Sequence, residues 1–123
     1  MAESGDRRIL AVGALLAVTG VALGAFGAHA LRAVLDAQRL GWWQTAVSYQ
    51  MWHAIALVAL AATPIRGKTL SIALLAIGTL LFSGSLYLLA LSGWRWLVLA
   101  TPAGGILLIG GWATLLWRLF RER

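Results

Sequence analysis

The side chains equipped for chemistry in this sequence are few, and they concentrate around His53. Tyr49 and Gln50 stand four and three positions before it, a spacing that puts all three on one face of a helix. Further along, Ser83 and Tyr87 share a helical face, Ser85 lies between them, and Thr101-Pro102 follows. A serine near a histidine is half of a nucleophilic dyad. Two histidines, with His29 as the second, are the axial pair of a bis-histidine haem, or with Met51 part of a copper or zinc site. None of these readings is completed by the surrounding residues. No Asp or Glu accompanies them in the same apolar stretches, so neither a Ser-His-Asp triad nor a carboxylate proton relay is available there. The chain has no Cys, which removes thiol catalysis and cysteine zinc sites. The reading is therefore of no catalytic residue, no metal site and no resident cofactor. His53 is expected to reach Ser83, Ser85 or Tyr87 across a helix interface, directly or through one water, because an unpaired polar group in an apolar medium costs several kcal/mol.

The elements that must carry these residues follow from composition. Of 123 residues, 61% are hydrophobic and 11% charged. A soluble domain of this size buries only about 60–70% of its surface and cannot hide so much apolar material. Disorder is excluded by the same hydrophobicity. Four stretches lack Asp, Glu, Lys and Arg: Ile9–Leu31, Gly41–Ile65, Thr69–Gly93 and Trp96–Trp117. About 20 apolar residues cross a bilayer as a helix, and no strand-like alternation offers a barrel instead. The fold class is all-α: an integral membrane four-helix up-down bundle in a single domain, residues 1–123. Its spans fall near 9–31, 46–64, 70–91 and 96–117. The segment Arg32–Thr45 reads either as a short interfacial helix or as a loop with aromatic anchors. The opening apolar run is too long for a signal-peptide core of about 7–15 residues, so span one reads as retained.

Charge sets the orientation. The net charge is +6. Four spans put Arg7, Arg8, Arg66, Lys68, Arg118, Arg121 and Arg123 on one side, and Arg32, Arg39 and Arg95 on the other. That imbalance predicts both termini in the cytoplasm, with the chain in the cell inner membrane. Nucleic acid is not a partner, because the basic residues are dispersed over loops rather than gathered in one stripe. Trp42, Trp43, Trp94 and Trp96 read as an aromatic belt at the outer ends of the spans, and Trp117 at the inner end.

Small residues supply the packing. Gly13, Ala17, Gly20, Gly24 and Gly27 recur at intervals of four and three along span one, and Gly84, Gly104 and Gly111 mark the later spans. In lipid, close approach of backbones over such residues drives helix association. The stripe serves either internal contacts or a homo-oligomer seam. His29 lies off that face. Measured from the outer span ends, His53, Ser85 and Thr101 fall at a common depth of about 7–11 Å. That depth defines one candidate polar pocket of Tyr49, Gln50, His53, Ser83, Ser85, Tyr87 and Thr101.

The strings GAFGAHAL (Gly24–Leu31), TAVSYQMWHAIAL (Thr45–Leu57), LFSGSLYLLAL (Leu81–Leu91) and TPAGG (Thr101–Gly105), with Gly111-Trp112, resemble domain of unknown function family 423. This is the group of small YgdD- and YwdK-like membrane proteins with animal transmembrane relatives. The resemblance covers roughly Ile9 to Trp117. It implies a four-span inner-membrane protein and supplies no reaction or substrate. Two functional classes follow. The first is a non-catalytic membrane protein: an oligomer, or an accessory or assembly factor beside a membrane partner. The second is a binder or carrier of a small amphipathic molecule (lipid, quinone or haem) in the outer polar pocket.

Overall fold

The computed structural model describes residues 4–121; Arg123, counted above on the more basic side, lies outside them. The described residues form four helices: α1 (Ser4–His29), α2 (Ala37–Ala61), α3 (Thr69–Ser92) and α4 (Leu97–Arg121). Three of them, α1, α3 and α4, are long and apolar enough to cross a membrane. The other, α2, is equally long but carries Gln38, Arg39, Gln44, Gln50 and His53.

The helix ends differ from the expected span ends, most of all at the start of α2. Asp36 has extended backbone geometry, and its carboxylate accepts the Arg39 backbone N–H at 2.8 Å. This N-cap starts α2 at Ala37, nine residues before the expected span. Residues 30–36 are a chain of turns, and 37–45 are the first turns of α2, so no separate interfacial helix stands there. The expected span left out the charged residues before Gly41 and the polar, aromatic lead-in 41–45, all of which a capped helix readily includes. At the far end of α3, Gly93 adopts φ +71° and its N–H reaches the Leu89 carbonyl at 2.8 Å, a left-handed stop suited to glycine.

The helices pack in sequence order: α1 on α2, α2 on α3, α3 on α4. Side-chain pairings run in opposite directions along each pair. Gly13, Gly20 and Gly27 of α1 face Val58, Met51 and Trp43 of α2, and Gly78 and Gly104 face Leu108 and Phe82 across α3 and α4. All neighbours are therefore antiparallel. The outer helices bury narrow seams: Gly13, Leu16, Gly20 and Gly27 on α1, and Leu97, Gly104, Leu108, Gly111 and Leu115 on α4. The two central helices bury wider faces, meeting at Ala54, Leu57, Leu60 and Leu75. α1 and α4 share no comparable interface. The arrangement is an up-down row with an uncovered side on each outer helix.

One aromatic expectation is overturned. Trp43 is only 3% exposed. Its indole N–H donates to the Leu23 carbonyl of α1 at 2.8 Å, and its ring meets Tyr87 edge-on. It is a core residue because α2 begins early enough to place it against the α1 glycines. Trp94 and Trp96 remain exposed and stack with centroids 6.2 Å apart.

Candidate functional site

Gln50 is the most connected polar side chain. It is 5% exposed. Its Nε2 donates to the Leu16 carbonyl and to Thr19 Oγ1 on α1, each at 2.8 Å, and its Oε1 accepts from the Tyr87 hydroxyl of α3 at 2.7 Å. The Leu16 carbonyl can only accept, which settles the orientation of the amide. Thr19 in turn donates to the Leu15 carbonyl at 2.9 Å. One amide thus joins three helices. Thr19 is the single hydroxyl between Ile9 and Leu31, and that isolation was the signal by which the sequence could have revealed it.

His53, also 5% exposed, belongs to a different interface. Nδ1 lies 2.7 Å from the Tyr49 carbonyl, and Trp112 Nε1 of α4 donates to Nε2 at 3.0 Å. An indole N–H only donates and a carbonyl only accepts, so the ring carries its proton on Nδ1. The expected contact with Ser83, Ser85 or Tyr87 is corrected. Ser83 donates to the Ala46 carbonyl at 2.8 Å, Ser85 pairs with Thr101 at 2.6 Å, and Tyr87 serves Gln50. The physical reason is depth. Because α2 starts at Ala37, His53 lies about two-thirds of the way along it, opposite Trp112. Ser85 and Thr101 meet nearer the other ends, and along α4 Thr101 and Trp112 are about 16 Å apart.

The anticipated single pocket is therefore three separate hydrogen-bonded groups: Gln50–Tyr87–Thr19, Ser85–Thr101 and His53–Trp112. No described buried side-chain nitrogen or oxygen lacks a partner. Tyr49 contributes its ring, packed on Phe82 (4.4 Å) and Trp52 (5.1 Å). His29 ends α1 in an exposed position. By the α1–α2 register it lies about 16 Å along the bundle from His53, too far for both to ligate one haem iron.

Two grooves adjoin these groups. One, about 510 Å³, runs between α2 and α4 over Phe82, with Tyr49, His53, Gly105, Leu108 and Trp112 on its walls. Trp112 is 43% exposed there. The other, about 210 Å³, lies between α1 and α3, with Thr19, Gln50, Ser83, Gly84 and Tyr87 along it.

The glycines divide similarly. A Cβ at Gly13 would stand 2.8 Å from Val58, one at Gly20 2.5 Å from Met51, one at Gly24 3.2 Å from Val47 and one at Gly111 2.7 Å from Leu75; at Gly27 it would strike Trp43 and at Gly104 the Phe82 backbone. The span-one stripe thus faces α2 within the chain. Gly84 is different, with nothing within 4 Å of its Cβ position. It borders the α1–α3 groove, where the helices stand apart, and makes no close helix contact.

Lys68 was counted only as a loop charge. It is buried, with Nζ donating to the carbonyls of Leu60 (2.8 Å) and Thr63 (2.6 Å) and pairing with Asp6 at 3.3 Å. It caps the C-terminal end of α2, where a cation also meets the helix dipole favourably.

Long apolar helices, polar side chains satisfied between helices, and glycine-mediated close packing define a small polytopic membrane protein. Residues 23–105 match the family described as "Protein of unknown function (DUF423)". The chain is 44% identical over 115 residues to the UPF0382 inner membrane protein YgdD of Escherichia coli (strain K12), covering 90% of this chain and 88% of that protein. A UPF0382 membrane protein of Haemophilus influenzae is 44% identical over 115 residues (89% and 93% covered), and one of Staphylococcus haemolyticus 42% over 116 residues (89% and 93%). The chain belongs to the DUF423 family of membrane proteins. No solved structure matches it significantly.

Proposed function

We propose that this protein is a non-catalytic component of the cell inner membrane, an accessory or assembly protein that acts through helix surfaces, with both termini in the cytoplasm. The observation that carries this reading is the commitment of the described polar groups. Gln50, His53, Ser83, Ser85, Tyr87 and Thr101 all end on protein partners, and none of the three serine or threonine hydroxyls among them is paired with His53 as a nucleophile with its base would be. The glycine stripe is likewise used within the chain. What remains for association is the apolar outer side of α1, at Val18 and Val21, and of α4, at Ile106 and Ile109. The test is photo-crosslinking in cells from residues substituted at Val18 and Ile109. Discrete protein adducts, to a second copy or to another membrane protein, support the reading. Adducts with lipid alone at both positions overturn it.

The α2–α4 groove favours a second reading, a binder of a small amphipathic molecule with a tail along Leu108 and a polar group near Trp112. Protein purified in mild detergent should then show a bound mass, or a Soret band for haem, that Trp112→Ala abolishes. Protein of bare chain mass with no visible absorption excludes it.

A further inference from the structure

A third hollow, with a mixed polar and apolar lining, lies away from these groups, where α2 begins, α3 ends and α4 begins. Its volume is about 520 Å³, and its walls include Arg39, Trp42, Leu89, Gly93, Arg95 and Val98. The Arg39 guanidinium lies against Gly93, where an added Cβ would strike it. Arg39 is half-buried, yet neither it nor Arg95 forms an ion pair among the described residues. Asp36, the one carboxylate on the rim, accepts the Arg39 backbone N–H as the cap of α2. Two arginines, Arg39 and Arg95, thus line the hollow. Leu89 and Val98 give it an apolar wall.

The setting selects the ligand. Trp94 and Trp96 flank Arg95 and are exposed, a position typical of the level where hydrocarbon meets headgroups. Guanidinium forks match phosphate oxygens in geometry and charge. We propose that this hollow binds the phosphate of a glycerophospholipid, held by Arg39 and Arg95, with an acyl chain descending over Leu89 and Val98. The assignment does not depend on the accessory role proposed above, since it concerns the ends of α2, α3 and α4 and not the outer sides of α1 and α4 at Val18, Val21, Ile106 and Ile109.

Native mass spectrometry of the full chain in mild detergent tests it, with phosphatidylglycerol, phosphatidylethanolamine or diacylglycerol added in turn. Wild type should retain either phospholipid and not diacylglycerol. Arg95→Ala, an exposed change that leaves the helices intact, should weaken retention about tenfold, the loss of one charge-assisted contact. Arg39→Ala should do the same, with Arg39→Lys restoring part of it. Arg32→Ala, exposed at the same end but outside the hollow, should change nothing. Equal retention of diacylglycerol, or unchanged retention in both Arg39→Ala and Arg95→Ala, would overturn the proposal. Displacement of the phospholipid by millimolar inorganic phosphate would assign the site to a soluble anion and overturn the lipid assignment.

Discussion

Gln50 shows how one side chain can hold three helices where water is absent. Its amide uses both donors and its acceptor on α1 and α3. Polar contacts between membrane helices contribute about 0.6–2 kcal/mol each. Tyr87→Phe removes one of the three bonds and should lower stability by about 1 kcal/mol. Gln50→Leu removes all three and should cost more, because the Tyr87 hydroxyl then loses its acceptor as well, while Thr19 keeps its bond to Leu15. Detergent melting or denaturant unfolding of both variants measures this, and equal melting of wild type and Gln50→Leu would refute it. Trp112→Phe keeps an aromatic ring but deletes the N–H that reaches His53. It should cost about 0.6–2 kcal/mol. The double variant with His53→Leu should cost less than the two single changes added together, since they share one bond.

At the scale of elements, glycines that look alike in sequence differ in what they face. Gly104 meets the backbone of Phe82 on α3, whereas a Cβ at Gly84 meets open space. Gly104→Ala should therefore push α4 from α3 and lower the melting temperature. Gly84→Ala should be neutral or raise stability by up to about 1 kcal/mol, through helix propensity alone. Reversed signs for the pair would contradict the packing described. The α2–α3 link offers a second contrast. Lys68 makes two short bonds to carbonyls and one longer ion pair. Lys68→Ala should cost about 1–3 kcal/mol by leaving carbonyls unpaired. Asp6→Ala, which removes only the partly exposed pair, should cost less than about 1 kcal/mol. Stability measurements that rank Asp6→Ala above Lys68→Ala would show the ion pair, not the cap, to be the dominant contact.

For the whole molecule, the antiparallel row places Arg7, Arg8, Arg66, Arg118 and Arg121 at one end and Arg32, Arg39 and Arg95 at the other. Basic loops are retained in the cytoplasm. Reporter domains fused after residue 121 and inserted in the turn at 33–34 should therefore report cytoplasm and its opposite side, respectively. Reports from the same side would break the four-crossing topology, and exchanged sides would invert it. The uncovered sides of α1 and α4 are also a property of this scale. Each outer helix buries a seam spaced by three, four or seven residues and leaves the rest to its surroundings.

Composition and the placing of charges were enough to show helices, their number and the membrane class, because lipid permits few backbone solutions and apolar length reports them directly. The strings around Gly24, His53, Ser83 and Thr101 were enough for the family. The glycine positions were visible too, but not their partners: small residues announce close approach, while only register decides that Gly27 meets Trp43 and Gly84 meets nothing. The polar groups were legible as a list and misread as an arrangement. Depth was counted from Ala46, with the polar, aromatic lead-in of the second stretch set aside, and the Asp36 cap begins that helix nine residues earlier. That shift moved His53 away from Ser85 and onto Trp112, and carried Trp43 from the belt into the core. Hydrogen-bond partners across helices depend on axial register and rotation, which are set jointly by caps, glycine contacts and side-chain volume; a single helix's sequence contains none of these in isolation. Tertiary structure alone therefore decided which polar residues pair, and that Lys68 turns inward to close α2.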